Sequence, residues 1–404
     1  MINIIGLGYI GLPTALILAA NGEKVTGTDY SNEIIDKLNN DQLTFKEKGL
    51  EELFFRAKEQ GILFTNNYKK SDIYIIAVPT PYRKDDKKID TTCIVSAVKS
   101  VMKVCEEGAI IIIESTVSPG TIDRVIRPLF NDYKYELGKS IHLVHAPERI
   151  LPGNMIHELE NNSRTIGADN IKIAEIVKKI YSTFCKGEIT LTDIRSAEMS
   201  KVIENTFRDI NIAFANELVN ICRKDSLDVY EIIYVANKHP RVNILSPGPG
   251  VGGHCIPVDP WFLVGDFPRY TKLITSAREI NDSMPEYVLN RIYDIMEEKG
   301  ISDTKRVGLY GLTYKANVDD IRESPTLQLI DIMKRHLAKP LKVYDPMVTK
   351  KLIDSQIMEF NEFIKDIDMV VIMVSHKHIK NSINSFKEKI VFDTQNVIEG
   401  AYRL

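Results

Sequence analysis

With 404 residues the chain exceeds one ordinary core, so two or three domains are expected. A composition of 44% hydrophobic and 26% charged residues is globular, and a net charge of −3 gives no reason to expect nucleic acid or an anionic membrane as partner. The five cysteines (Cys93, Cys105, Cys185, Cys222 and Cys255) are widely spaced without a CxxC pair, which argues against a disulfide framework or a zinc site and suits a reducing compartment.

Met1 leads straight into an apolar run, and runs such as 109–113 are too short to span a bilayer. A cytoplasmic protein without membrane insertion or a bound metal is expected. In chain order, short apolar runs at 2–6, 24–28, 72–78, 109–114, 141–145 and 164–166 alternate with helix-like stretches. That alternation predicts a parallel sheet with helices on both faces, a doubly wound Rossmann-type domain over 1–195. Helices are predicted over 196–224, 229–237 and 272–298, with a Pro/Gly-dense loop at 239–260, so 196–300 is a central helical domain. Strands at 306–312, 341–345, 368–374 and 390–393 restore the α/β pattern and make 301–404 a second Rossmann-like domain.

The first motif is Gly6-Leu7-Gly8-Tyr9-Ile10-Gly11, which follows the first strand and opens a helix. Its glycines permit a tight turn and close approach of a pyrophosphate to backbone N–H groups. Asp29 ends the second strand, 18 residues after Gly11 (29 − 11), where an acid binds ribose hydroxyls. A carboxylate about 4 Å from a 2′-phosphate would cost on the order of 4 kcal/mol at an effective dielectric near 20, so NAD is expected rather than NADP.

The stretch 247–260, PGPGVGGHCIPVDP, holds four glycines, four prolines, Cys255 and Asp259 in 14 residues. Such a segment is a poor core element and presents one side chain from a stiff frame. A thiol near a cation or backbone N–H groups becomes the thiolate that attacks carbonyls. Lys201, Asn205 and Arg208, at i, i+4 and i+7, share one face of the predicted long helix. Glu114-Ser115-Thr116 and Pro147-Glu148-Arg149 follow predicted strands, where ligands of open parallel sheets bind.

Taken together, the stretches GLGYIGLPTA (6–15), AVPTP (77–81), ESTVSPGT (114–121), APERILPG (146–153), AEMSKVIENTFRDINIAFANEL (197–218), RVNILSPGPGVGGHCIPVDPWF (241–262) and GLTYKANVDDIRESP (311–325) resemble the UDP-glucose/GDP-mannose dehydrogenase family. The resemblance spans the whole chain. It implies an NAD-dependent four-electron oxidation of a nucleotide-sugar alcohol to a carboxylate, by way of a thiohemiacetal and a thioester on Cys255.

Carried onto matching positions, the resemblance makes Lys201 a general acid/base and gives Asn205 an oxyanion role. Asp259 would orient the hydrolytic water, and Lys201 or Glu148 would be the base for hydrolysis. Tyr9, Ile10, Asp29, Thr80, Thr116 and Arg322 would contact NAD. Arg149, Ile150, Arg208, His239, Arg241, Gly252, Tyr314 and Lys315 would line the UDP-sugar site, with Lys201 and Asn205 at its reacting end. The resemblance also implies a homodimer formed through the central helices, with Arg241 serving the neighbouring subunit's site.

Two other classes explain less. A redox-neutral epimerase would be marked by Tyr-x-x-x-Lys, which occurs at Tyr135/Lys139 and Tyr234/Lys238, neither near the strand ends named above. A sensor that only binds NAD has no use for Cys255, Lys201, Asn205 and Asp259 together.

Overall fold

Apolar runs four residues long become buried strands because helices cover both faces of the sheet and leave no polar side. The computed structural model describes all residues except Asp132, Lys134, Leu151 and 337–339, and its chain forms two units. The first is Met1–Glu204 with Trp261–Phe267, and the second is Asn205–Pro260 with Pro268–Leu404.

The first unit is built on strands β1 (Ile2–Ile5), β2 (Val25–Thr28), β3 (Leu63–Thr65), β4 (Ile73–Ile76), β5 (Ile110–Ile113), β6 (His142–His145), β7 (Arg164–Ala168) and β8 (Ile189–Thr192). They lie in the order β3-β2-β1-β4-β5-β6-β7-β8. Ile2 of β1 faces Val25 on one side and Ile73 on the other, both in parallel register. Ile4, Leu7, Leu12, Leu16, Ile75 and Ile112 are buried in one core, each contributing about 1.5–3 kcal/mol by burial.

One expectation is corrected here. The sheet is not parallel throughout, because β6 and β7 pair antiparallel, so β7 and β8 run against the other strands. Strand direction depends on where a connection leaves and re-enters the sheet, and apolar periodicity carries no trace of that. Strands β3 and β8 escaped the sequence reading; both are short, with exposed or half-buried residues.

The second unit contains β9 (Val307–Tyr310), β10 (Lys342–Tyr344), β11 (Met369–Ile372), β12 (Ile390–Asp393) and the two-residue β13 (Tyr402–Arg403), ordered β10-β9-β11-β12-β13 and all parallel. Val307, Leu309, Leu329, Met333, Val343 and Val371 fill its core. The predicted helices appear as Ile194–Lys224, Val229–Ala236 and Lys272–Lys299. A further helix, Asp259–Asp266, follows the Pro/Gly-dense loop and had no counterpart in the prediction. No helix among the described residues is long and apolar enough to cross a membrane.

Candidate active site

At the end of β1 the chain turns at Gly6, whose φ of +89° is costly for any residue with a Cβ. Gly11 opens the helix Gly11–Ala20, and a Cβ there would lie 1.9 Å from the Gly6 carbonyl oxygen. Gly8 differs, because a Cβ there would meet no atom within 4 Å. Packing within the chain does not require a glycine at this position, whereas close approach by an external group does. The helix has no side-chain N-cap; the Leu12 N–H bonds the Gly8 carbonyl at 3.1 Å and Pro13 has no N–H, which leaves the Gly11 N–H at the turn to face an anion. These features fit a dinucleotide pyrophosphate.

Asp29 is buried just beyond β2. Its carboxylate accepts the Leu7 N–H at 2.8 Å and the Ser31 N–H at 2.9 Å, which fixes it against the glycine turn. The Tyr9 ring stacks on Phe45 with centroids 4.3 Å apart, and Ile10 is half-buried beside it in sequence. Thr80 donates to the Thr116 carbonyl at 2.6 Å, joining the segments beyond β4 and β5.

The same unit holds a buried charged cluster. Arg164 pairs with Glu148 and with Glu114, the latter at 3.4 Å, and Tyr181 donates to Glu114 at 3.1 Å. Burial pushes the Glu114 carboxyl up to about 7 against the attraction of Arg164. Glu148 also accepts the Arg149 N–H at 2.7 Å, so both of its oxygens are engaged. Arg149 in turn reaches Ser163, Thr165 and Glu204, and Ile150 is buried. Lys201 is buried on the helix Ile194–Lys224, and its ammonium has no ion-pair partner among the described residues.

In the second unit the same helix anchors the cysteine loop. Asn205 donates to Asp259 at 2.6 Å, and both are buried. The Cys255 carbonyl accepts the N–H groups of Val258 and Asp259 at 3.0 and 2.8 Å, so the half-buried cysteine sits one turn ahead of that aspartate. Gly252 lacks room for a Cβ, which would fall 2.5 Å from the Tyr314 Cβ and 2.7 Å from the Glu323 oxygen. The Gly253 N–H donates to the Arg322 carbonyl at 2.9 Å. The stretches 247–260 and 311–325 therefore pack on each other.

Arg322 directs its guanidinium to Asp320, with the shortest contact at 2.6 Å. Burial, with the neighbouring Arg322 charge, holds the His254 imidazole below its ordinary value. Lys315, next to Tyr314, is half-buried. Arg208, His239 and Arg241 are exposed, and the Arg241 N–H donates to the His239 ring at 3.3 Å.

The sequence reading missed the residues that hold the cysteine loop. Asn211 donates to the Asn243 carbonyl and accepts the Leu245 N–H, both at 2.9 Å. Asn216, fully buried, accepts the Gly248 N–H at 2.9 Å and donates to Asn281 at 2.8 Å. Asn281 is held in turn by Asp209, which pairs with the buried Arg278. The signal was present, since asparagine is a poor helix former and its recurrence inside a long helix calls for partners.

Residues 1–185 match the NAD binding domain of the UDP-glucose/GDP-mannose dehydrogenase family, 195–283 its central domain and 308–400 its UDP binding domain. A UDP-N-acetyl-D-mannosamine dehydrogenase of Methanococcus aeolicus is 41% identical over 98% of this chain and 91% of its own length. The solved UDP-N-acetyl-mannosamine dehydrogenase of Staphylococcus aureus is 41% identical with a TM-score of 0.88, covering 99% of this chain and 95% of that one. The UDP-D-ManNAc dehydrogenase of Pyrococcus horikoshii is 36% identical with a TM-score of 0.91, covering 100% and 98%. With a dinucleotide turn, a cysteine loop and three matching family domains in one chain, this protein belongs to the UDP-glucose/GDP-mannose dehydrogenase family of NAD-dependent enzymes.

Proposed function

We propose that the enzyme oxidises C6 of UDP-N-acetyl-D-mannosamine to the carboxylate of UDP-N-acetyl-D-mannosaminuronate, a four-electron reaction with Cys255 as covalent nucleophile. The observation that carries the substrate is the 41% identity, over 98% of the chain, with a relative of that name. The HPRVNILSPGPG run (239–250) and the His254-Cys255 pair support it, because a UDP-glucose enzyme more usually has tyrosine before the cysteine.

NAD supplies the hydride acceptor for both oxidations, one molecule for each. Gly6, Gly8, Gly11, Tyr9, Ile10, Asp29, Thr80, Thr116 and Arg322 hold it. Lys201 takes the hydroxyl proton as the C6 alcohol becomes an aldehyde. The Cys255 thiol loses its proton to solvent as the sulfur adds to the aldehyde carbon, and Lys201 returns a proton to the new alkoxide. The thiohemiacetal hydroxyl then gives its proton back to Lys201 as a second hydride leaves C6, which yields the thioester. Water breaks the C–S bond, releases the carboxylate and restores the thiol, so one water is consumed per sugar. Covalent capture keeps the aldehyde from escaping between the two oxidations.

Asn205 stabilises the oxyanion and Asp259 orients the water, two roles suited to a pair fixed 2.6 Å apart. Lys201 or Glu148 receives the proton of that water, and Lys201→Arg against Glu148→Gln in a thioester-hydrolysis assay separates them. A buried ammonium without a counter-ion is costly, which suits Lys201 to a site where negative charge develops in the reaction. Arg149, Ile150, Arg208, His239, Arg241, Gly252, Tyr314 and Lys315 hold the nucleotide-sugar. The enzyme is a cytoplasmic homodimer in this reading, with Arg241 serving the neighbouring subunit, and its product is a donor for surface polysaccharide.

The test is to count NADH per sugar with UDP-N-acetylmannosamine, UDP-GlcNAc, UDP-glucose and GDP-mannose. Two NADH from the first, and little from the others, is the expected result. One NADH per sugar would remove the thioester, whereas two from another sugar would change only the substrate.

A further inference from the structure

The two units share one strand-end arrangement. After β1, the Gly6 N–H bonds the Thr28 carbonyl at 2.8 Å; after β9, the Gly311 N–H bonds the Tyr344 carbonyl at 2.8 Å. Asp29 accepts the N–H of Leu7 and of Ser31 two residues on, and Asp345 accepts the N–H of Leu312 and of Met347 two residues on. The second copy departs from the first in that Asp345 also accepts the Thr313 N–H at 2.9 Å and meets a buried histidine, His376, at 3.2 Å.

The partners of His376 fix its tautomer. Its Nδ1 faces the Asn317 backbone N–H at 3.0 Å, and a backbone N–H can only donate, so Nδ1 carries no proton. Nε2 therefore carries it and donates to Asp345, with the Thr313 hydroxyl oxygen also within 3.3 Å. That hydroxyl spends its own proton on the Lys315 carbonyl at 3.0 Å. Asn317 is closed from its other side, where its side-chain oxygen accepts the Lys377 N–H at 2.8 Å. Asn317 also holds φ at +62°, in the left-handed region that asparagine enters more readily than most residues with a Cβ.

The segment 312–317 is thus clamped at its base by Asp345 and at its tip by His376 and Lys377. It carries Tyr314 and Lys315, and Tyr314 is the surface on which Gly252 and Gly253 of the cysteine loop pack. We propose that His376 is a positioning residue, which with Asp345 and Asn317 holds the Tyr314–Lys315 loop in the form that binds the nucleotide-sugar. This rests on the reading of Tyr314 and Lys315 as substrate contacts.

Two near-isosteric variants separate the two bonds. In His376→Asn the amide oxygen stands in for Nδ1 and keeps the Asn317 bond while losing Asp345, which retains its backbone donors. In His376→Gln the amide nitrogen stands in for Nε2 and keeps Asp345 while losing Asn317. Hydrogen exchange over 312–317 reads the clamp without substrate: protection is retained in His376→Asn and falls in His376→Gln. The KM for the nucleotide-sugar rises about tenfold in His376→Gln and stays within about threefold in His376→Asn, with the KM for NAD unchanged in both. Equal protection in both variants, or KM values for both substrates rising together, would overturn the proposal. Lys315→Ala separates it from the reading beneath it: if that variant binds the nucleotide-sugar normally while exchange still follows the clamp, the substrate assignment falls and the clamp stands.

Discussion

Asn205 donates its side-chain amide to the Asp259 carboxylate across 2.6 Å, with both groups buried. The bond joins the helix Ile194–Lys224 to the start of the helix Asp259–Asp266, four residues after Cys255 (259 − 255). A carboxylate buried at 3% exposure depends on such a donor, since an unpartnered charge there is costly. Replacing Asn205 by Ala removes both the donor and the amide assigned to the oxyanion. The expected result is a fall in kcat of about 10²-fold with the KM for NAD unchanged, read by steady-state kinetics. A kcat within twofold of wild type would leave Asn205 a merely local cap.

Gly11 and Gly8 are expected to respond in opposite ways to the same substitution. Gly11→Ala drives a Cβ to within 1.9 Å of the Gly6 oxygen and should destabilise the fold by a few kcal/mol in a urea melt. Gly8→Ala meets nothing within 4 Å and should melt like wild type, yet its KM for NAD should rise at least about tenfold. Unchanged NAD affinity in Gly8→Ala would mean that the dinucleotide does not approach this glycine.

Asn216 tethers the Gly248 end of the cysteine loop through a buried amide whose other side is bonded to Asn281. Asn216→Ala should cost about 1–3 kcal/mol of stability by stranding polar groups. It should also change the rate at which iodoacetamide alkylates Cys255, measured by mass spectrometry on the native protein. An alkylation rate equal to wild type, despite the lost stability, would separate this tether from the geometry of the cysteine.

Burial raises Glu114 from an ordinary 4.5 to about 7 despite the attraction of Arg164. Between those values the folded state binds more protons than the unfolded chain, so this group lowers stability as pH rises through the window. Glu114→Gln removes that contribution. The unfolding free energy of the variant minus that of wild type should therefore climb by about 2–3 kcal/mol from pH 4.5 to 7 and level off above. Titrating groups away from the Glu114–Arg164–Glu148 cluster cancel in the difference, and a pH-independent offset would show that folding leaves the proton affinity of Glu114 unchanged.

Much of this enzyme is written in local order along the chain. The glycine turn, its strand and helix, and Asp29 at the end of β2 are legible because turn chemistry and apolar period are properties of neighbouring residues. The same holds for the cysteine loop, whose glycines and prolines have no place in a core, and for the long helices, which appear within two residues of their expected ends. Direction and partnership were decided elsewhere. The reversed β7 and β8, the Glu114–Arg164–Glu148 cluster, the Asn216 tether and the Asp345–His376 clamp join residues far apart in sequence, by 50 positions for Glu114 and Arg164 and 31 for Asp345 and His376. Periodicity reports that a residue is buried, but which donor meets which acceptor is selected only when the packed chain shuts water out and each buried polar group must find a partner within it.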